Sequence, residues 1–145
     1  MTDSIAVSTD INAPAADVWA ALTQPDIIKT YMMGAKVETD WTPGHPITWN
    51  GEWKGKPYQD KGVIKAFEPN KHLSMTHWSP LTPLPDEPAN YHTVTYDLVP
   101  NGNRTKLTLT QENLTGVTAE QAKKNWQPML DGLKRSVEAE SAASA

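Results

Sequence analysis

The 145-residue chain contains no cysteine, which excludes disulfide bonds, thiolate catalysis and cysteine-ligated zinc and fits a reducing cytosol. Acidic residues outnumber basic ones by 17 to 13, so the net charge does not favour nucleic-acid binding as the main role. It has no apolar run long enough to cross a bilayer, and its first residues lack the features of a signal peptide. We therefore expect a cytoplasmic protein with no nucleic-acid partner and no membrane insertion.

Motifs that carry chemistry are also missing. The sequence has no glycine-rich phosphate loop, no serine-nucleophile motif and no His-Glu metal helix, so we expect no cofactor and no metal. Phenylalanine occurs once, whereas tryptophan occurs six times. Tryptophan combines a large apolar surface with one N–H donor, a combination that suits either a wide, partly wet cavity or an ordinary core with its rim.

Hydrophobic periodicity predicts an α+β chain. Alternating residues indicate strands at 4–11, 35–40, 45–53, 58–67, 73–77, 92–98 and 105–112. Helical spacing indicates a short helix from Pro14 to Leu22 and a second one opened by Pro25. A capping-box pattern at Thr118 to Gln121 begins a long helix that should end near Glu138. Segment 79–90 contains four prolines and is predicted to be a loop.

Consecutive strands followed by one long helix indicate an antiparallel sheet with its helices on one face. We expect a curved sheet of about six to seven strands wrapped around the long C-terminal helix, with two short helices after the first strand. This domain should cover residues 1–139, and residues 140–145 should form a disordered tail. Pro128 falls inside the long helix, where it should cause a kink.

The chain resembles the START and birch-pollen-allergen-like (Bet v 1-like, SRPBCC) superfamily, whose architecture is called the helix-grip fold. Within it, the chain looks most like the family named after the activator of heat-shock protein 90 ATPase. The matching residues run in order along nearly the whole chain: Ile11 to Pro14, Val18 to Thr23, Gly51 to Trp53 with Gly55, Gly62-Val63, Glu68-Pro69, Leu73 with Trp78, Val94 to Tyr96, Thr105 to Thr110, and Trp126 with Leu130, Leu133 and Lys134.

Two departures from the family pattern stand out. Pro128 interrupts a helix that the family usually continues without proline, and Gln111 stands where the family often has histidine. The resemblance implies a cavity between the concave face of the sheet and the long helix. It leaves function open, because this fold serves carriers, receptors, enzymes and co-chaperones.

Strand parity predicts which side chains would line that cavity. If the strands flanking the proline-rich loop pair with each other, His77 lies opposite His92 and Met75 opposite Val94, with both imidazoles near Trp49 or Trp53. The two histidines would be a polar anchor for a ligand, an acid–base pair, or strand-end residues in water. By parity no further histidine or carboxylate falls on this face, which argues against zinc. His45 and His72 are expected at the surface.

Gln111 is a second polar residue on an otherwise apolar face, and it should bond a ligand, a water molecule or Tyr96. The predicted ligand-binding residues share this face or the facing helix stripe: Trp49, Trp53, Met75, His77, His92, Tyr96, Leu109, Gln111, Trp126 and Leu130.

Three functions fit this pattern. The first is a binding module, a carrier or sensor for an apolar or aromatic small molecule, with a stress-related role open. The second is an enzyme that uses His77 and His92 as acid and base. The third is a co-chaperone-like interaction domain, which predicts an exposed apolar patch and a cavity too small for a ligand. Self-association as a homodimer is compatible with all three.

Overall fold

The computed structural model describes residues 4–31, 34–80, 85–112 and 118–144, and in these ranges it leaves the side chains of residues 53, 88 and 140–144 undescribed. The elements within the described residues are β1 (Ser4–Ile11), α1 (Ala15–Thr23), α2 (Pro25–Tyr31), β2 (Lys36–Glu38), β3 (Pro46–Trp53), β4 (Lys56–Glu68), β5 (His72–His77), β6 (His92–Asn101), β7 (Arg104–Glu112) and α3 (Ala119–Ser144). The predicted α+β class is confirmed.

The seven strands of the described residues form one curved antiparallel sheet in the order β1-β7-β6-β5-β4-β3-β2. In β1, Ile5, Val7 and Ile11 are buried and their neighbours in the strand are not. One face of the sheet is therefore covered by other parts of the protein. Helix α3 packs against this face and contributes Leu130 and Leu133, both fully buried. Burying each such side chain stabilises the fold by roughly 1.5–3 kcal/mol, so α3 closes the sheet through its apolar stripe.

The two short helices are joined at a tight boundary. Pro14 is extended (φ −64°, ψ 156°) and caps α1, so the helix begins one residue later than predicted. Gln24 is extended at the other end of α1, and Pro25 then opens α2, as predicted. Proline suits this first position because its missing N–H has no partner within the helix there.

The predicted pairing of β5 with β6 is confirmed. His77 lies opposite His92, Met75 opposite Val94 and Leu73 opposite Tyr96. Leu73, Met75 and His77 share one parity, as do His92, Val94 and Tyr96, so all six lie on the same face of the sheet.

Strand β4 departs from simple alternation. Ile64 pairs with Met75 but Ala66 pairs with Ser74, so one extra residue is inserted between them as a β-bulge. If the odd-numbered residues face the core on one side of a bulge, the even-numbered residues face it on the other side, or the reverse. As a result, Phe67 and Ile64 both contribute to the core although they are three residues apart.

Helix α3 begins with half of the predicted capping box. The Gln121 backbone N–H donates to Thr118 Oγ1 at 3.1 Å, whereas the Gln121 side chain donates to Asn125 Oδ1 instead of returning to the cap. The helix is continuous through Pro128 and extends to Ser144, beyond the predicted end near Glu138. The kink at Pro128 and the disordered tail stay predictions. None of the helices in the described part of the chain is long and apolar enough to cross a membrane.

Candidate functional site

A small cavity lies between the concave face of the sheet and the helices. Its volume is about 50 Å³. A water molecule needs at least about 10–15 Å³ of such space, and pockets for drug-sized ligands measure roughly 300–1,000 Å³. In this conformation the cavity therefore has room for a few water molecules. It is lined by Leu22, Ile28, Tyr31, Val37, Trp41, Ile47, Trp49, Met75, His77, Val94, Tyr96 and Trp126.

Two of the aromatic walls are tyrosines that stay neutral. Burial raises the pKa of both Tyr31 and Tyr96 well above the ordinary value. The Tyr31 hydroxyl donates to the Ala21 carbonyl oxygen at 2.6 Å, which ties α2 to α1. At physiological pH these phenols therefore contribute apolar ring surface and O–H donors, with no charge.

Trp41 is a cavity wall with an unusual backbone. Its φ is 62°, in the left-handed region that bulky residues rarely adopt. It is half-buried and packs against Phe67 with ring centroids 5.9 Å apart. Such a conformation costs of order 1–3 kcal/mol and concentrates at sites that bind or switch.

The main polar feature of the cavity is a histidine held by a carboxylate. His77 Nε2 lies 2.9 Å from Asp60 Oδ2, and the His77 ring packs edge-on against Trp49 with centroids 5.0 Å apart. Asp60 Oδ1 is buried and has no hydrogen-bond partner among the described residues. The imidazole is thus fixed by a charged neighbour and an aromatic ring.

The expectation that no carboxylate shares this face was wrong, because Asp60 does. If side chains alternated along β4 without interruption, Lys61 would share the inner face with Phe67, which packs on the core. Asp60 would then lie on the outer face. The bulge after Ile64 reverses this assignment. Counting from Ile64 itself, which is fully buried, would have placed Asp60 correctly.

The structure brings five of the ten predicted ligand-binding residues to the cavity wall: Trp49, Met75, His77, Tyr96 and Trp126. Leu109 and Leu130 are fully buried core residues, and His92 is buried in the sheet opposite His77. Among the described residues, these three and Gln111 do not line the cavity. Trp53 ends β3, and its side chain lies outside the described part.

Gln111 bonds a neighbouring helix residue. The Trp126 indole N–H donates to Gln111 Oε1 at 2.6 Å, which joins α3 to β7. A ligand, a water molecule or Tyr96 had been expected as the partner of this buried amide. The bond gives Gln111 a structural role at the edge of the cavity, since Trp126 is one of its walls.

Two other histidines, His45 and His72, also pair with carboxylates. His45 Nδ1 lies 2.7 Å from Asp40 Oδ2, and His72 Nδ1 lies 2.6 Å from Asp97 Oδ1. His45 is exposed, as predicted, and His72 is partly exposed. In the described ranges no three metal-ligating side chains come together.

A second concavity, here called the outer groove, lies along β3 and β4 and has a volume of about 630 Å³. Val63 lines this groove, and 40% of its surface is exposed. At one end Lys61 forms an ion pair with Asp86, and Tyr91 donates to Asp86 Oδ1 at 2.5 Å. These contacts lower the pKa of Asp86, the bond from Lys61 contributing most. The described part of the proline-rich loop therefore borders this groove.

The profile of the family described as "Activator of Hsp90 ATPase homolog 1-like protein" matches residues 12–138. Among solved structures, ChR145 from Cytophaga hutchinsonii is 45% identical with a TM-score of 0.81, over 99% of this chain and 97% of that one. Protein MLL2253 from Mesorhizobium loti is 26% identical with a TM-score of 0.73, over 94% and 98% of the two chains.

The Aha1 dimer from Colwellia psychrerythraea is 20% identical with a TM-score of 0.72, over 94% of this chain and 96% of that chain, a likeness in fold alone. A comparison with curated proteins found no match. The family profile covers most of the chain, and ChR145 is 45% identical over nearly the full length of both chains. The chain therefore belongs to the family of activator of Hsp90 ATPase homolog 1-like proteins.

Proposed function

We propose that this protein binds a small molecule with an apolar or aromatic body in the cavity between the sheet and α3. The observation that carries the proposal is His77, held by Asp60, on the wall of an otherwise apolar, aromatic-lined cavity. Ligand pockets commonly combine apolar walls with a few fixed polar groups. The aromatic residues would supply contact area, and His77 would supply the polar contact.

The energetics of Asp60 support a functional role for the pair. Asp60 Oδ1 is buried without a partner among the described residues. A buried polar atom left without a hydrogen bond costs about 1–3 kcal/mol, and a charged one costs more. An apolar residue at position 60 would avoid this cost, so stability alone does not explain the carboxylate.

Binding requires the cavity to expand, because about 50 Å³ is too small for an aromatic ring. Trp41 and Trp126 are both half-buried walls, and Trp41 has a strained backbone. Release of strain at Trp41 would offset part of the cost of opening. We therefore expect a ligand to displace one or both indole rings outward.

Native mass spectrometry of the gently purified full chain tests the proposal. We expect a mass excess in the native spectrum that disappears on denaturation. The variant Leu133→Ala should keep the adduct, because Leu133 is a core residue that does not line the cavity. The variant Met75→Trp, which fills the cavity, should lose it. No adduct, combined with no thermal shift across fatty acids, sterols and aromatic metabolites, would contradict the proposal.

A second candidate, association with another protein, is favoured by the outer groove. Its volume of about 630 Å³ far exceeds that of the cavity, and Val63 is exposed within it. Since a relative forms a dimer, the occupant we propose is a second copy of this chain. Sedimentation velocity should then show a dimer that Val63→Glu abolishes. Val99→Glu is a matched control, because Val99 is an exposed valine outside the groove. A wild-type monomer at high concentration would exclude this candidate.

A further inference from the structure

The contact between His77 and Asp60 determines which hydrogen-bonding group the imidazole has left for a ligand. A neutral imidazole has one N–H donor and one acceptor nitrogen, and the partner of one nitrogen fixes the role of the other. An ionised carboxylate only accepts hydrogen bonds. Because Asp60 Oδ2 lies 2.9 Å from Nε2, that nitrogen must carry the proton when the ring is neutral. Nδ1 is then an acceptor.

Nδ1 is available for this role. None of the residues that the structure describes bonds to it, whereas His77 itself lines the cavity. The edge-on packing against Trp49 restricts rotation of the ring, and the bond to Asp60 restricts it further. The imidazole is therefore held in one orientation before a ligand arrives.

We propose that Asp60 is a positioning residue that keeps neutral His77 in the Nε2–H tautomer. The ligand is then an apolar, ring-containing molecule with a neutral hydrogen-bond donor, a hydroxyl or an N–H, that binds Nδ1. This inference rests on the proposed function, since it names the ligand class for the same cavity. A carboxylate ligand is disfavoured, because its charge would lie close to the charge of Asp60 in a site with little water.

Nitrogen NMR of the full chain with ¹⁵N-labelled histidine tests the tautomer without any ligand. The protein contains its own comparison, because His45 and His72 bond their carboxylates through Nδ1. At a pH where the rings are neutral, we expect His77 to be the Nε2–H tautomer and His45 and His72 to be the opposite one. Asp60→Asn should shift His77 toward Nδ1–H, since the new amide can donate to Nε2. A wild-type His77 in the Nδ1–H form would overturn the inference.

Matched probes test the ligand class. Indole carries an N–H donor, benzofuran has the same shape without a donor, and benzoate is an anion. We expect indole to bind about tenfold more tightly than benzofuran, the effect of roughly one hydrogen bond. His77→Phe should remove this difference while it keeps a ring at the position, and benzoate should bind most weakly.

The outcomes separate this inference from the function it rests on. Equal binding of indole and benzofuran, or tighter binding of benzoate, would overturn the inference and leave small-molecule binding intact. If no probe binds and the native protein carries no adduct, the proposed function fails, and the inference fails with it. If Asp60→Asn does not fold, the wild-type tautomer alone decides the test.

Discussion

The indole N–H of Trp126 donates to Gln111 Oε1 at 2.6 Å, so a helix residue and a strand residue close the cavity together. Gln111 is only 6% exposed, and a buried amide without a partner would be costly. In this conformation the bond therefore determines where the indole ring lies, and through it the shape of one cavity wall.

This pair should behave as one energetic unit. Gln111→Leu leaves the indole N–H without its partner, and Trp126→Phe leaves the amide without its donor, so each should lose about 1–3 kcal/mol of unfolding free energy. The double variant should lose less than the sum of the two, by about 1 kcal/mol or more. Urea denaturation of the four proteins measures this coupling. Strictly additive losses would show that the bond contributes nothing in solution.

The same pair illustrates what a sequence can and cannot predict. Parity correctly predicted that Gln111 shares a face with Leu107 and Leu109, because all three are buried on β7. It could not identify the partner, since the distance between β7 and α3 depends on how the whole core packs. The cavity volume could not be predicted from the sequence either, because it depends on the rotamers of a dozen side chains.

The sequence correctly predicted those structural features that depend on residues close together in the chain. The opposition of His77 and His92 was predicted from two alternating strands and the loop between them. The position of Asp60 on the inner face was not predicted, because a single inserted residue in β4 changes which residues face the core. Nothing in the local composition indicates such a bulge. The site is therefore partly readable from sequence, up to the first irregularity in a strand.

Stability at alkaline pH should depend on Tyr96. Burial raises its folded-state pKa above the unfolded value near 10. The neutral phenol is therefore favoured by folding, and its contribution is complete below pH 10. As pH rises above 10, the unfolded state loses its proton first, and stability falls until the pH passes the folded-state pKa.

The measurement compares wild type with Tyr96→Phe at pH 9 and pH 11. One such group whose unfolded pKa is about 10 removes about 1.4 kcal/mol of stability over this interval. We expect the loss in Tyr96→Phe to be smaller than in wild type by about that amount, measured by urea denaturation. Lysines titrate in both proteins and cancel in the difference. The pKa of Tyr31 is raised chiefly by burial and only secondarily by Tyr96, so most of its shift is kept in Tyr96→Phe. Equal losses would mean that Tyr96 ionises as easily in the folded state as in the unfolded one.

Gly62 allows β4 to approach β5 beside the His77–Asp60 pair. A Cβ atom added there would lie 1.8 Å from the Thr76 carbonyl oxygen and 2.5 Å from the carbonyl carbon. Both are backbone atoms, so the strands would have to separate. Asp60 lies two residues before Gly62, and His77 directly follows Thr76, so this close approach also sets the spacing of the pair.

Gly62→Ala should therefore destabilise the protein by about 3 kcal/mol or more, beyond the usual cost of overpacking, because backbone must shift. Gly51→Ala is the matched control. Its added Cβ would meet the Tyr58 hydroxyl oxygen at 2.7 Å, the far end of a side chain that can rotate away. We expect Gly51→Ala to lose markedly less stability in urea denaturation and to leave the His77 imidazole ¹⁵N shifts unchanged. If Gly62→Ala folds with wild-type stability and unchanged His77 shifts, the two strands do not depend on this contact, and the spacing of Asp60 and His77 must be set elsewhere.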